Sequence, residues 1–336
     1  MSLAAIASVP QKHFYLIRSN KENALAKLNI CLESLGMQYV SPKYSGVVLV
    51  LISSVCFAFV PNSAKIAMDE GSSLSFLLVS RYAIGVALLL PIVFFSKTKL
   101  AISNGILPGV IKASVLALGL IWATYHAVEF LDIGLVLIIL YSFPIGVALI
   151  SHFQGKIFIN FGQIACMFLL LFGLWTMIYE DGVSVNLYGL VLSFAGLICF
   201  VLFIISASEV ADKIGSTLLN FYICLFGLFV LLAVILLHSD ITIRVPMTHK
   251  GIFAIVSNGF FFILSWVLYF QGAKLIGATR ASFLACSEPL FAALLAILLL
   301  GQLLSIKEWV GFLIIFSSVL IFETLSGAKR DNPTNL

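Results

Sequence analysis

From Gly46 to near its C-terminus the chain is a succession of apolar runs, each about twenty residues long and closed by a few polar residues. A helix rises about 1.5 Å per residue, so each run can cross the roughly 30 Å of hydrocarbon in a bilayer. Ten runs are legible, at 45–67, 74–95, 106–128, 133–153, 157–178, 187–207, 216–238, 251–273, 279–300 and 309–326. Polar turns divide them: Asp69-Glu-Gly-Ser-Ser, Ser96-Lys-Thr-Lys, Gln154-Gly-Lys, Glu180-Asp-Gly and Ser208-Glu-Val-Ala-Asp-Lys, with a tight junction at Glu129–Asp132. Lipid offers no partner to a bare N–H or C=O, so a spanning segment is either a helix or part of a closed barrel. Barrel strands alternate in polarity over about ten residues. These runs are uniformly apolar and twice that length, which predicts an all-α polytopic membrane protein with ten transmembrane helices. Composition agrees: 10% of the 336 residues are charged, against about 25% in a soluble domain. The lipid bilayer is the partner such a chain requires.

Duplication is the second constraint. Trp122-Ala-Thr-Tyr125 returns as Trp266-Val-Leu-Tyr269 after 144 positions, and Pro144 returns as Pro289 after 145. Gly46, Cys56-Phe57 and Ser63-Ala64 return as Gly189, Cys199-Phe200 and Ser206-Ala207 after 143. The repeated unit is therefore about 140 residues and holds five runs. Five is odd, so the second copy enters the membrane from the other side, giving two inverted five-helix repeats. The expected organisation is an N-terminal tail at 1–43, repeats at 44–181 and 187–326, and a C-terminal tail at 327–336. Inverted halves with proline-interrupted helices at matching places are a recurrent plan of secondary transporters.

Orientation follows from Lys and Arg near span ends. With the N-terminus inside, the inner face collects Lys27, Lys43, Lys97, Lys99, Lys156, Lys213, Lys274, Arg280, Lys329 and Arg330, and the outer face Lys65, Arg244, Lys250 and Lys307. Both termini are therefore expected in the cytoplasm, in an inner or plasma membrane. Residues 1–43 lack the apolar core of a signal peptide, and Ala24–Met37 can form a short amphipathic helix. A start at Met37 would instead place 1–36 outside the native chain. Both readings stand.

Charges inside spans are expensive and ask for a reason. Arg81 lies about seven residues, roughly 10 Å, from the outer end of the second run. It can bind an anionic solute group or pair with a neighbouring acid; a structural arginine held by carbonyls is the alternative. Glu288 precedes Pro289 in the ninth run, and its counterpart before Pro144 is Phe143. A carboxyl there suits proton coupling or recognition of an amine, or it supports the helix that Pro289 breaks. Trp122 with Tyr125 and Trp266 with Tyr269 each share a helix face at i, i+3. They can stack on a planar or cationic solute in a central cavity or pack against neighbouring helices. Tyr141, one turn before Pro144, is a further lining candidate.

Several chemistries find no support. His126-x-x-Glu129 with Asp132 has the residue types of a metal cluster but no second ligand set, and His152 and Lys112 fall near helix ends. Six cysteines show no C-x-x-C spacing, so they imply neither metal nor disulfide framework. No cofactor is implied. No basic, aromatic-interleaved patch suggests nucleic acid. Enzyme and P-loop signatures are missing, including G-x-S-x-G, H-E-x-x-H and G-x-x-x-x-G-K-[ST]. A channel, an intramembrane enzyme and a receptor remain the alternatives to a transporter. Oligomeric state is not readable, because lipid-facing and partner-facing surfaces look alike.

The chain resembles the EamA-type permeases of the drug/metabolite transporter superfamily over about residues 44–326. The resemblance is carried by Cys56-Phe57-Ala58, Ser80-Arg81-Tyr82, Tyr125 through Pro144, Gly277 through Pro289, Leu300-Gly-Gln302 and Gly311. It implies ten helices in two inverted halves around a substrate cavity, with alternating access that needs no ATP hydrolysis. It also implies a small-molecule solute, with amino acids or related metabolites as the first expectation. Arg81, Glu288, Pro144 and Pro289 match characteristic positions. The usual Gly-Glu after the ninth span is Gly301-Gln302 here, and the first half reads Gly155-Lys156, which puts a gating role for that acid in doubt.

Overall fold

Apolar runs whose backbone must satisfy itself become helices, and the computed structural model shows where each one stops. It describes residues 42–95, 102–178, 186–238, 242–301 and 303–328. The elements are α1 (Pro42–Asp69), α2 (Leu74–Phe95), α3 (Leu107–Phe130), α4 (Ile133–Leu140), α5 (Phe143–Phe153), α6 (Phe161–Ile178), α7 (Leu187–Ile214), α8 (Ser216–Leu237), α9 (His249–Ile276), α10 (Ala278–Ala285), α11 (Glu288–Leu300) and α12 (Ile306–Ala328). They make ten crossings long and apolar enough to span a membrane, the fourth being α4 with α5 and the ninth α10 with α11. Lys97, Lys99, Glu180, Gln302, Lys329, Arg330 and the segment Ala24–Met37 lie outside the described residues.

One expected turn is corrected. Ser208–Lys213 continues α7 to Ile214 rather than leaving the helix. These polar residues extend the helix into water: Glu209 accepts a bond from Lys156 Nζ at 2.7 Å. Lys213 in the last turn complements the carbonyl end of the helix. The eighth crossing likewise runs on to Ile276.

Helix ends carry a duplication that the side chains did not reveal. Gly71 and Gly215, 144 apart, both turn the chain at positive φ (93° and 88°), and Gly155 and Gly301 do the same at 68° and 65°. Only glycine adopts that region without a Cβ penalty. Where the counterpart is not glycine, a side chain substitutes. Asp132 caps α4 by accepting from Gly134 N at 2.8 Å, whereas Gly277 precedes α10 without a side-chain cap.

The packing follows the inverted repeat. α2 packs on its own counterpart α8, and α6 on its counterpart α12. α3 packs on α7, and the equivalent pair α9 and α1 is tied by Ser53 Oγ to Ser265 O at 2.8 Å and by Asn258 Nδ2 to Val60 O at 2.7 Å. That exchange of partners is what a two-fold axis in the membrane plane produces. Lipid tails remove the hydrophobic drive between helices, so close backbone approach and interhelical hydrogen bonds hold them. A Cβ on Gly311 of α12 would fall 2.7 Å from Gly173 O of α6. Beside that contact Ser318 Oγ donates to Cys166 O at 2.6 Å.

Candidate functional site

The two broken crossings form the centre of the site. α4 ends at Leu140, Tyr141 and Ser142 turn, and α5 restarts with Pro144 in its first turn. α10 ends at Ala285, Cys286 and Ser287 turn, and α11 restarts with Pro289 in its first turn. Proline lacks an N–H and its ring displaces the carbonyl one turn back, so a helix tolerates it only where no bond is required. The breaks lie against each other. Cys286 Sγ approaches Tyr141 O at 3.8 Å, and the Tyr141 side chain lies beside the Glu288 carboxyl. Tyr141 and Cys286 are 145 apart, the offset of the two prolines, so their contact joins equivalent positions of the two halves.

The halves are not equal around that centre. Trp266 is wrapped by Phe57, Phe203 and Phe270, with ring centroids at 4.9, 5.0 and 5.5 Å. Tyr269 is fully buried, and its hydroxyl shares a 2.9 Å bond with Ser282 Oγ. Trp122, by contrast, is 59% exposed and meets only the His126 ring among the ring contacts described, at 4.8 Å; Tyr125 is half-buried. Phe143, which stands where the other half has Glu288, explains part of the difference. Phe200, the counterpart of Phe57, stacks on Phe143 at 4.2 Å instead of closing over Trp122.

Arg81 is 8% exposed and is held by neutral groups. Its Nε donates to Asn258 Oδ1 at 2.9 Å, and its guanidinium lies 4.9 Å from the Phe262 ring centre. Because Asn258 also bonds Val60 O, Arg81 links α2 through α9 to α1. The structure thus brings Tyr141 to Glu288 and Trp266 to Tyr269, and leaves Arg81 and Trp122 apart from both pairs. His126 Nδ1 lies 3.4 Å from Glu129 Oε2, Asp132 is spent as a cap, and no metal-holding group occurs among the described residues.

A cavity of about 1170 Å³ opens at the face where α5, α7, α9 and α12 end and α6 and α10 begin. Its wall includes Lys156 with Glu209, Lys274, whose Nζ lies 3.3 Å from Asp212 O, and Arg280. Arg280 holds Glu323 with two nitrogens, Nε at 2.8 Å and NH2 at closer contact. Arg280 lies in α10, on the cavity side of the break that Glu288 follows. Sequence reasoning passed over this pair. Arg280 counted only as a charge near a span end, and Glu323, an acid inside the tenth apolar run, was not singled out. The rule that isolates Arg81 and Glu288 isolates Glu323 as well.

Two oppositely threaded five-span halves, with broken helices meeting between them and a polar cavity at one face, define a duplicated polytopic membrane protein of the kind that carries solutes. The EamA-like transporter family matches at residues 44–179 and again at 187–324, and the chain belongs to that family. Over 82 residues it is 41% identical to the uncharacterized inner membrane transporter YicL of Salmonella typhimurium (strain LT2). That stretch is 23% of this chain and spans 27% of the relative's length. A solved crystal structure aligns with a TM-score of 0.69 at 13% identity, over 84% of this chain and 99% of its own. At that identity the likeness concerns the fold.

Proposed function

We propose that the chain is a secondary transporter that moves a small polar organic metabolite across the inner or plasma membrane by alternating access, without ATP hydrolysis. The repeats at 44–181 and 187–326 rock about the paired breaks, and both termini lie on the cytoplasmic face. The observation that carries this reading is the meeting of the two breaks through Tyr141, Cys286 and Glu288, beside a cavity open at one face. Discontinuous helices place polar backbone and an ionisable group in the bundle interior, where a solute can exchange hydrogen bonds with them. Trp266 and Tyr269, enclosed in this structure, become aromatic contacts for that solute as the halves rock, and Arg81 holds the α1, α2 and α9 assembly closed on the opposite face. The cavity wall carries both signs of charge, which suits an amino acid or a related dipolar metabolite. Glu288 is the proton-coupling group.

Metabolite comparison of cells with and without the protein identifies the solute, and flux into proteoliposomes then tests the mechanism. Saturable, ATP-independent uptake driven by an imposed pH gradient is expected. Glu288→Gln should keep solute exchange and lose its response to the gradient; an unchanged response refutes proton coupling. Ohmic currents would instead establish a channel.

A further inference from the structure

The duplication offers an internal control for every surface, and one surface fails it. At the start of α3, Asn104, Leu107, Pro108, Ile111, Lys112, Val115 and Leu116 line an apolar groove of about 560 Å³ on the outside of the bundle. At the 144-residue offset, these positions fall on 248–260 at the start of α9. There Gly251, Ile255 and Gly259, the counterparts of Leu107, Ile111 and Val115, are buried, while Ile252, Val256 and Phe260 stay exposed. Thr248 Oγ1 donates to Glu70 Oε2 at 2.7 Å, and a Cβ on Gly251 would stand 2.6 Å from the Pro246 Cβ and 2.9 Å from the Glu70 Cβ. Lys112 has the exposed Val256 as its counterpart, so the groove has a cation where the other half has an apolar side chain. Its ammonium pairs with no acid among the described residues.

We infer that this groove holds one anionic phospholipid of the leaflet on the Lys/Arg-rich face. Lys112 lies about 7.5 Å along α3 from its first residue, within reach of the headgroup level for a snorkelling lysine. Its charge meets the lipid phosphate, and Asn104 stands at the interfacial end of the same groove. Leu107, Ile111, Val115 and Leu116 form the wall for an acyl chain. A zwitterionic lipid offers the same chain without net charge, so the lysine supplies the selectivity. Beside Leu107 the lipid occupies the place that Pro246 fills against Gly251 in the other half.

The test is native mass spectrometry of the full chain released from nanodiscs containing equal phosphatidylglycerol and phosphatidylethanolamine. One retained phosphatidylglycerol is expected. Retention should fall about tenfold in Lys112→Ala and Lys112→Glu, persist in Lys112→Arg, and be untouched in Lys307→Ala on the opposite face. Melting temperatures in neutral lipid should match the wild type, which separates lipid loss from misfolding. Equal retention of the two lipids, or full retention in Lys112→Glu, overturns the assignment. Stabilisation by inorganic phosphate equal to that by phosphatidylglycerol also overturns it, because that would be an ion site with no acyl contribution.

Discussion

Removing one member of the Arg280–Glu323 pair leaves the other charged against a protein wall. Stranding a charge in a fully buried pair costs about 3–5 kcal/mol, whereas an exposed pair contributes about 0–1 kcal/mol. Here the arginine side chain is 9% exposed and the glutamate 26%, and Arg280 faces a water-accessible cavity. An intermediate loss of about 2–4 kcal/mol is therefore expected for Glu323→Ala, measured by reversible unfolding in mixed micelles. Replacing both partners with apolar residues of similar length, Arg280→Met with Glu323→Leu, should recover most of that loss, since no charge is then stranded. The double-mutant cycle should report a coupling of about 2 kcal/mol. A loss below about 0.5 kcal/mol for Glu323→Ala, or strictly additive single and double variants, would refute the claim that this pair is a buried, interdependent unit.

Two further outcomes follow from the same geometry. Glu70 sits between α1 and α2, where the Thr248 hydroxyl and then Lys250 hold its carboxyl below the usual range. Its folded-state value is depressed, so its contribution is present above the ordinary carboxylate pKa and is lost as pH falls through the lowered value. Glu70→Gln should accordingly speed proteolysis of the 242–248 loop at neutral pH and make no difference well below that value; equal rates at both pH values would show the contact to be idle. Gly311→Val should destabilise by about 1–3 kcal/mol or more, because the obstructing atom is backbone. Gly105→Val, which meets nothing within 4 Å, serves as the control, and equal effects of the two would contradict the close approach of α6 and α12.

The architecture was legible because its cause is chemical and repetitive. Twenty-residue apolar runs, an odd number per half and matched prolines leave few alternatives, and the crossings were placed within a few residues, save where α7 and α9 run on past their expected ends. That excess was hidden because Ser208–Lys213 reads as a polar turn, and only Lys156 of another element makes it useful as helix. Partner exchange between α1 with α9 and α3 with α7 was also out of reach, since sequence does not say which apolar face meets which. In the candidate site, Tyr141 and Glu288 were each readable from the prolines that follow them, but their proximity needs both breaks at one depth. Trp122 shows the limit of repetition: it matches Trp266 in sequence, yet Phe143 draws Phe200 away and the tryptophan stays exposed.

Alternating access requires that the face opposite the cavity can open. There Ser73 N donates to Arg244 O at 3.0 Å, and Arg244 N donates to Ser73 Oγ at 3.0 Å, joining the turn between α1 and α2 to the segment before α9. Solute uptake should therefore be measured in proteoliposomes carrying Ser73→Cys with Arg244→Cys, before and after oxidation. The account predicts that the cross-link stops transport and that reduction restores it. Full-rate transport through the oxidised, verifiably cross-linked protein would contradict it.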